Sequence, residues 1–217
     1  RQLDASKIRA VFISHEHADH FRGVRVLSKC LNIPVYITES TYKKSWPQHR
    51  PEKIRNFSPG DVVRIGEMCV HTFLKNHDAA QPCSFRIEHN GISVGVMTDI
   101  GEPCQNVIRH FSLCNAVFLE SNYDEDMLWS GPYPYYLKKR VASAYGHLSN
   151  RQAFELLKQY GSDELEVVFL SHLSAENNRP DIAMEAFKEL ADKYSVRLTN
   201  RYAPAEIYRI KEKKLVS

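Results

Sequence analysis

Ser14-His15-Glu16-His17-Ala18-Asp19-His20 sets three imidazoles and two carboxylates in seven positions, directly after the apolar run Ala10-Val11-Phe12-Ile13. A strand that runs into a loop fixes the origins of its side chains and leaves their tips free to converge, as divalent metal coordination requires. In this H-x-H-x-D-H arrangement His15 and His17 can face one ion, and Asp19 and His20 a second. The helical zinc-protease pattern H-E-x-x-H is excluded, because the position four after His15 is Asp19. An isolated histidine is ordinarily a surface or satisfied core residue. Three histidines with an aspartate at a strand end point to a metal site instead.

Composition bounds the rest. The 217 residues are 43% hydrophobic and 25% charged, so a single globular domain over residues 1–217 is expected. A formal net charge of +3 permits an acidic substrate without demanding nucleic acid. Cys30, Cys69, Cys83, Cys104 and Cys114 are an odd number with no C-x-x-C pair, which argues for reduced thiols rather than a disulfide framework or zinc ribbon. No apolar run approaches the roughly 18 residues of a membrane span, and Arg1-Gln2-Leu3-Asp4 does not form a signal peptide. A cytoplasmic protein without membrane contact is the expectation, with its oligomeric state open.

Along the chain, Val24–Leu31 reads as a helix and Pro34–Thr38 as a strand, with a surface helix and then a loop through residues 39–60. Strands follow at Val62–Ile65, Met68–Lys75, Ser84–Glu88 and Ile92–Thr98, the last two joined by the hairpin signal Asn90-Gly91, so an antiparallel meander is predicted. Beyond Asp99 strands at Asn115–Leu119 and Glu166–Leu170 alternate with helices around 149–160 and 180–194, and Ser149 with Gln152 fits a capping box.

His15-Glu16-His17-Ala18-Asp19-His20 resembles the signature of the metallo-β-lactamase-fold hydrolases. The resemblance implies an αββα sandwich, here lacking the opening strands that the superfamily places upstream, so a missing N-terminal segment is expected. It also implies a third histidine, a bridging aspartate and a last histidine, each after a strand. His77 in Asn76-His77-Asp78-Ala79-Ala80 fits the third nitrogen beside His15 and His17. Asp99, before Gly101, fits the bridge, and His172, after Val167–Ser171, completes the second site with Asp19 and His20. Imidazole and carboxylate ligands without thiolate suit two divalent ions, zinc or manganese, with iron also permitted. A water shared by two such ions is deprotonated near neutral pH, which makes hydrolysis the expected reaction, with Asp19 counted among the catalytic residues.

Glu120, ending the apolar strand Ala116–Leu119, and His147, in Gly146-His147-Leu148-Ser149-Asn150, form a candidate proton-donating pair. A carboxylate hydrogen-bonded to an imidazole orients it and favours its protonated form; the alternative is that the pair only braces metal ligands. These segments, with Leu170-Ser171-His172-Leu173-Ser174, resemble the phosphodiesterase side of the superfamily and in particular the YycJ (WalJ)-like bacterial hydrolases. That branch implies a 5′ to 3′ DNA exonuclease, with DNA favoured over RNA. Tyr135, Lys138, Lys139 and Arg140 are candidate substrate contacts, since rings stack on bases and cations hold phosphates, or else a partly buried helix. Ser174, Asn177 and Asn178 can hold a phosphate or cap the following helix. A thioester or lactone hydrolase on the same metal core, and a non-catalytic metal-binding domain, are the competing readings.

Overall fold

The computed structural model describes residues 4–210. Among them residues 4–74 with 78–85 form one compact unit, and residues 75–77 with 86–210 a second.

In the first unit β1 (Val11–Phe12) leads through the histidine-rich stretch into α1 (Ala18–Phe21) and α2 (Val24–Leu31). Asp19 and His20 therefore sit in a helical turn rather than a loop. Asn32 ends α2 in the left-handed region, φ +56°, and its N–H closes the helix on the carbonyls of Ser28 and Lys29. The chain then enters β2 (Val35–Ile37), α3 (Glu39–Lys44) and β3 (Ile54–Asn56). β1, β2 and β3 form a parallel sheet in that order, with Val11 opposite Val35 and Val35 opposite Ile54. Ile13, Phe21, Val24, Val35 and Ile37 pack as its core. β3 corrects the expectation of a helix and loop through residue 60: all three of its residues are exposed, so neither apolar alternation nor a buried run marks it. β4 (Val62–Ile65) and β5 (Met68–Leu74) form the expected antiparallel pair.

β6 (Cys83–His89) passes into the second unit at Arg86 and turns at Asn90 and Gly91, φ +49° and +74°, into β7 (Ile92–Met97). These positive angles are what an Asn-Gly turn accommodates. There follow α4 (Gln105–Phe111), β8 (Ala116–Glu120), α5 (Glu125–Ser130), α6 (Tyr135–Val141), α7 (Asn150–Tyr160), β9 (Val167–Ser171), α8 (Pro180–Ala186) and β10 (Ser195–Leu198). β7, β8, β9 and β10 are parallel neighbours with helical crossovers, and every residue of β9 is buried, as a strand covered on both faces requires. α7 starts on the expected capping box, Ser149 Oγ accepting from Gln152 N while Gln152 Oε1 accepts from Ser149 N. The single helix expected over 180–194 is shorter: α8 ends at Ala186, and after the buried Phe187 a separate short turn covers Lys188–Leu190. Phe187 packs edge-on to Phe154, with ring centroids 6.1 Å apart.

Candidate active site

The register of the parallel strands gathers the polar residues of the second unit. Met97 lies opposite Leu119, and Leu119 opposite Leu170, so Asp99, Glu120 and His172 all emerge at the carboxyl ends of adjacent strands. Parallel α/β sheets characteristically place their sites there.

Glu120 is fully buried and is the anchor. Its Oε1 accepts from His147 Nδ1 at 2.9 Å and His172 Nδ1 at 2.7 Å, and its Oε2 from the backbone N–H of Ile100 at 2.7 Å and Leu148 at 3.1 Å. Burial opposes its charge, but the hydrogen bonds from His147 and His172 outweigh that penalty and hold the carboxyl down to about 2. The carboxylate orients both rings with a proton on Nδ1, which leaves Nε2 of each as the working atom, a lone pair on the neutral ring and an N–H on the protonated one.

His77 is fixed in the same sense by Gly146, whose carbonyl accepts from Nδ1 at 3.0 Å. Burial is the chief reason that this imidazole is held down to about 4, and so neutral at ordinary pH. The Nε2 atoms of His77 and His172 lie 3.9 and 3.6 Å from Asp99 Oδ1. Lone pairs aimed at a carboxylate oxygen repel unless a cation stands among them, so this donor set fits a divalent metal. Asp99, Glu120, His147 and His172 offer ligand atoms within 4.8 Å of one another. Asp99 and His172 also adopt positive φ, +55° and +57°. Such conformations cost about 1–3 kcal/mol each and persist where the surroundings over-determine them, commonly at functional sites.

Lys75, which sequence reasoning missed, is buried beside this group and donates to Thr98 O at 2.7 Å with its Nζ 3.8 Å from Asp99 Oδ2. Its place after an apolar strand carries no chemical signal. The loops that carry Asp99 and His147 touch at Gly101, where a Cβ would lie 2.3 Å from Ala144 O, and the His147 loop is itself tightly wound, a Cβ on Gly146 lying 2.1 Å from Val141 O.

In the first unit His15, fully buried, faces His17 with Nε2 3.1 Å from Nδ1, and its ring lies 4.2 Å from that of His20. Ser14 Oγ contacts His15 Nδ1 at 3.0 Å. Asp19 is exposed, its Oδ2 3.5 Å from His20 Nε2. His15 thus contacts both other imidazoles, and the three again constitute a nitrogen-rich donor group. Glu16, unassigned by the sequence reading, accepts from Ala80 N at 2.9 Å and so ties the stretch to the loop after His77.

The substrate candidates divide. Tyr135, Lys138, Lys139 and Arg140 lie on α6, with Tyr135 exposed rather than partly buried. Asn177 and Asn178 are buried. Asn178 Nδ2 donates to the carbonyls of Ser121 and Asn122 and to Asn150 Oδ1, while its Oδ1 accepts from Asn150 Nδ2 and Arg179 N. With its amide so engaged the residue braces the end of β8. Ser174 Oγ accepts from the N–H groups of Glu176 and Asn177, so it caps a local turn rather than α8, whose N-cap is Arg179.

Comparison with known proteins sharpens this picture. Residues 1–173 match the family described as the beta-lactamase superfamily domain. Exodeoxyribonuclease YycJ of Bacillus anthracis is 31% identical over 196 residues, an alignment covering 88% of this chain and 74% of the relative. Exodeoxyribonuclease WalJ of Streptococcus pneumoniae is 30% identical over 179 residues, covering 80% of this chain and 66% of that one. Among solved structures, the metallo-beta-lactamase fold protein YhfI from Bacillus subtilis aligns with a TM-score of 0.67 at 19% identity, over 89% of this chain and 76% of its own.

Proposed function

Because this chain belongs to the metallo-β-lactamase-fold hydrolase superfamily, we propose that it is a binuclear metal-dependent phosphodiesterase acting on nucleic acid, with DNA preferred and removal from the 5′ end. The exonuclease names of the two bacterial relatives support the substrate class. The donor groups above, His15, His17, His20 and Asp19 with His77, Asp99 and His172, are assigned as ligands to two divalent ions, zinc or manganese. When bound, such ions supply water activation and stabilise developing negative charge.

The observation that carries the reading is His147. It shares the Glu120 carboxylate with the ligand candidate His172, and both side chains are partly open, at 23% and 29%; His172 turns its Nε2 to Asp99 Oδ1 at 3.6 Å, which leaves His147 for the substrate. Glu120 holds Nδ1, so the proton that His147 can deliver is the one on Nε2, and a leaving alkoxide oxygen of a phosphodiester is the group that needs it. Glu120 orients both rings through one oxygen and stabilises the imidazolium before transfer. Asp99 presents its oxygen to the two Nε2 atoms of His77 and His172, and Lys75 offsets its charge in the buried site.

The test is cleavage of end-labelled DNA and RNA by the full chain loaded separately with manganese and zinc, beside Asp99→Ala and His147→Gln. Stepwise loss from the 5′ end of DNA, abolished by Asp99→Ala and lowered about 100-fold by His147→Gln with metal content retained, is expected. Intact nucleic acid with the metals bound, together with turnover of a thioester or lactone, would overturn the proposal.

A further inference from the structure

The segment between α5 and His147 has a composition that its packing does not explain. Residues 127–147 contain Lys138, Lys139 and Arg140 and no aspartate or glutamate, in a chain whose whole formal net charge is +3. The same segment leaves Trp129 47% exposed, Tyr135 65%, Tyr136 74% and Tyr145 59%. Large rings are among the side chains that most reward burial, so four of them open to solvent beside a run of cations indicate a surface that something covers.

Rings and cations are organised together. Trp129 and Tyr135 lie with centroids 6.4 Å apart and planes inclined by 50°. Lys139 Nζ stands 4.7 Å over the Tyr135 ring, and Lys138 Nζ donates to Trp129 O at 2.7 Å, tying α6 to the end of α5. Tyr136 and Arg140 repeat the four-residue spacing of Tyr135 and Lys139, so they are neighbours on the helix surface. From Tyr135 to Arg140 the helix advances about 7.5 Å, the axial length of about two stacked nucleotides.

The surface is also locked to the candidate acid. Ala142 N donates to Lys138 O, Gly146 N to Ser143 O and His147 N to Val141 O, so the backbone turns from α6 into His147 without a flexible joint.

We propose that Trp129, Tyr135, Tyr136 and Tyr145, with Lys138, Lys139 and Arg140, form a stacking platform that binds single-stranded nucleic acid and feeds it towards His147, an inference that rests on the phosphodiesterase reading for its direction but not for its binding. Tyrosine and tryptophan faces stack on any base, and the cations hold phosphates, which is the recurrent design for single strands of unspecified sequence. A duplex hides its base faces and gains only the charge. A membrane surface wants an exposed apolar face, and the exposed residues of α6 are Tyr135, Tyr136, Lys139 and Arg140, its Leu137 and Val141 being half-buried.

Trp46→Phe leaves Trp129 as the sole tryptophan of the full chain and hence a local reporter. With a chelator present to prevent cleavage and the fold followed by far-ultraviolet circular dichroism, oligothymidylate should quench its emission saturably. An equal-length duplex should quench weakly, and Tyr135→Ala with Tyr136→Ala should raise the Kd about tenfold. Replacing the three cations by glutamine should shallow the salt dependence of binding. No quenching, equal quenching by duplex, an unchanged Kd in the tyrosine variant, or quenching by anionic lipid vesicles but not by oligonucleotide would overturn the platform. Cleavage without quenching refutes the platform alone, whereas platform-dependent binding without cleavage under any metal refutes the catalytic reading alone.

Discussion

Glu120→Gln keeps the shape of the buried side chain and removes half of its accepting capacity. The native carboxylate accepts from four donors, two imidazole Nδ1 atoms on Oε1 and two backbone N–H groups on Oε2. An amide has one accepting oxygen, so in either orientation two buried donors meet an NH2 group. Each unsatisfied donor costs about 1–3 kcal/mol, which puts the loss at about 2–6 kcal/mol against the about 5–15 kcal/mol that holds a typical domain. One escape exists. His147 and His172 can shift their protons to Nε2 and accept from the amide through Nδ1, which recovers stability. That shift puts a proton on the His172 atom that faces Asp99, and metal affinity should then fall about 10–100-fold. Urea denaturation of the metal-free chain and competitive chelator titration of the loaded one measure the two outcomes together. A variant that matches the parent in both would refute the role of Glu120 as the anchor. The carboxyl titrates at about 2 in the fold against its ordinary 4.5. Its contribution is therefore complete above about 4.5 and lost as pH falls towards 2, so the gap between parent and variant should close across that window.

His77 behaves in the same sense at higher pH: its folded value of about 4 lies below the ordinary 6.5, so protonation favours the unfolded chain. Metal-free stability should fall as pH drops from about 6.5 to about 4, and His77→Gln should flatten that slope in urea midpoints; an identical slope would exclude His77 as its source. Gly101→Ala places a methyl group 2.3 Å from Ala144 O, a backbone atom that cannot swing aside. Overpacking of about 2 kcal/mol should lower the melting temperature by about 4–8 °C, and an unshifted melt would show that the 140–147 turn is pliable. Ser149→Ala breaks the capping box of α7 and should cost about 1 kcal/mol in denaturant midpoint, whereas Ser149→Asp should restore most of it.

The donor-rich stretch at 14–20, α2, the Asn90-Gly91 turn and the Ser149–Gln152 box were legible because each couples a local backbone demand to residue types that meet it. β3 was not legible, since its pairing with β2 supplies order that three exposed residues do not encode. The sharing of Glu120 by two histidines was hidden for a related reason. Sequence suggested the pair with His147, but the contact with His172 arises from the strand register that sets Glu120 opposite Ser171. Asn178 was hidden in the same way: nothing in the Asn-rich loop after His172 announces that its buried amide donates to the carbonyls of Ser121 and Asn122 at the end of β8. Local rules thus reached the ends of the strands, and tertiary pairing decided what the ends do.

The four-way grip on Glu120 has a consequence for how the molecule comes into being. Its imidazole partners lie 27 and 52 residues farther along the chain, the first beyond two helices and the second beyond three helices and a strand. On a ribosome, which makes about 5–20 residues per second, the carboxylate emerges seconds before its last partner can reach it. Until β9 docks beside β8, Glu120 is a charge that no apolar interior accepts, and the strand that ends in it has reason to stay wet. The same group that locks the finished site delays its closure, so a nascent chain that stops short of residue 172 lacks the partner that completes the lock.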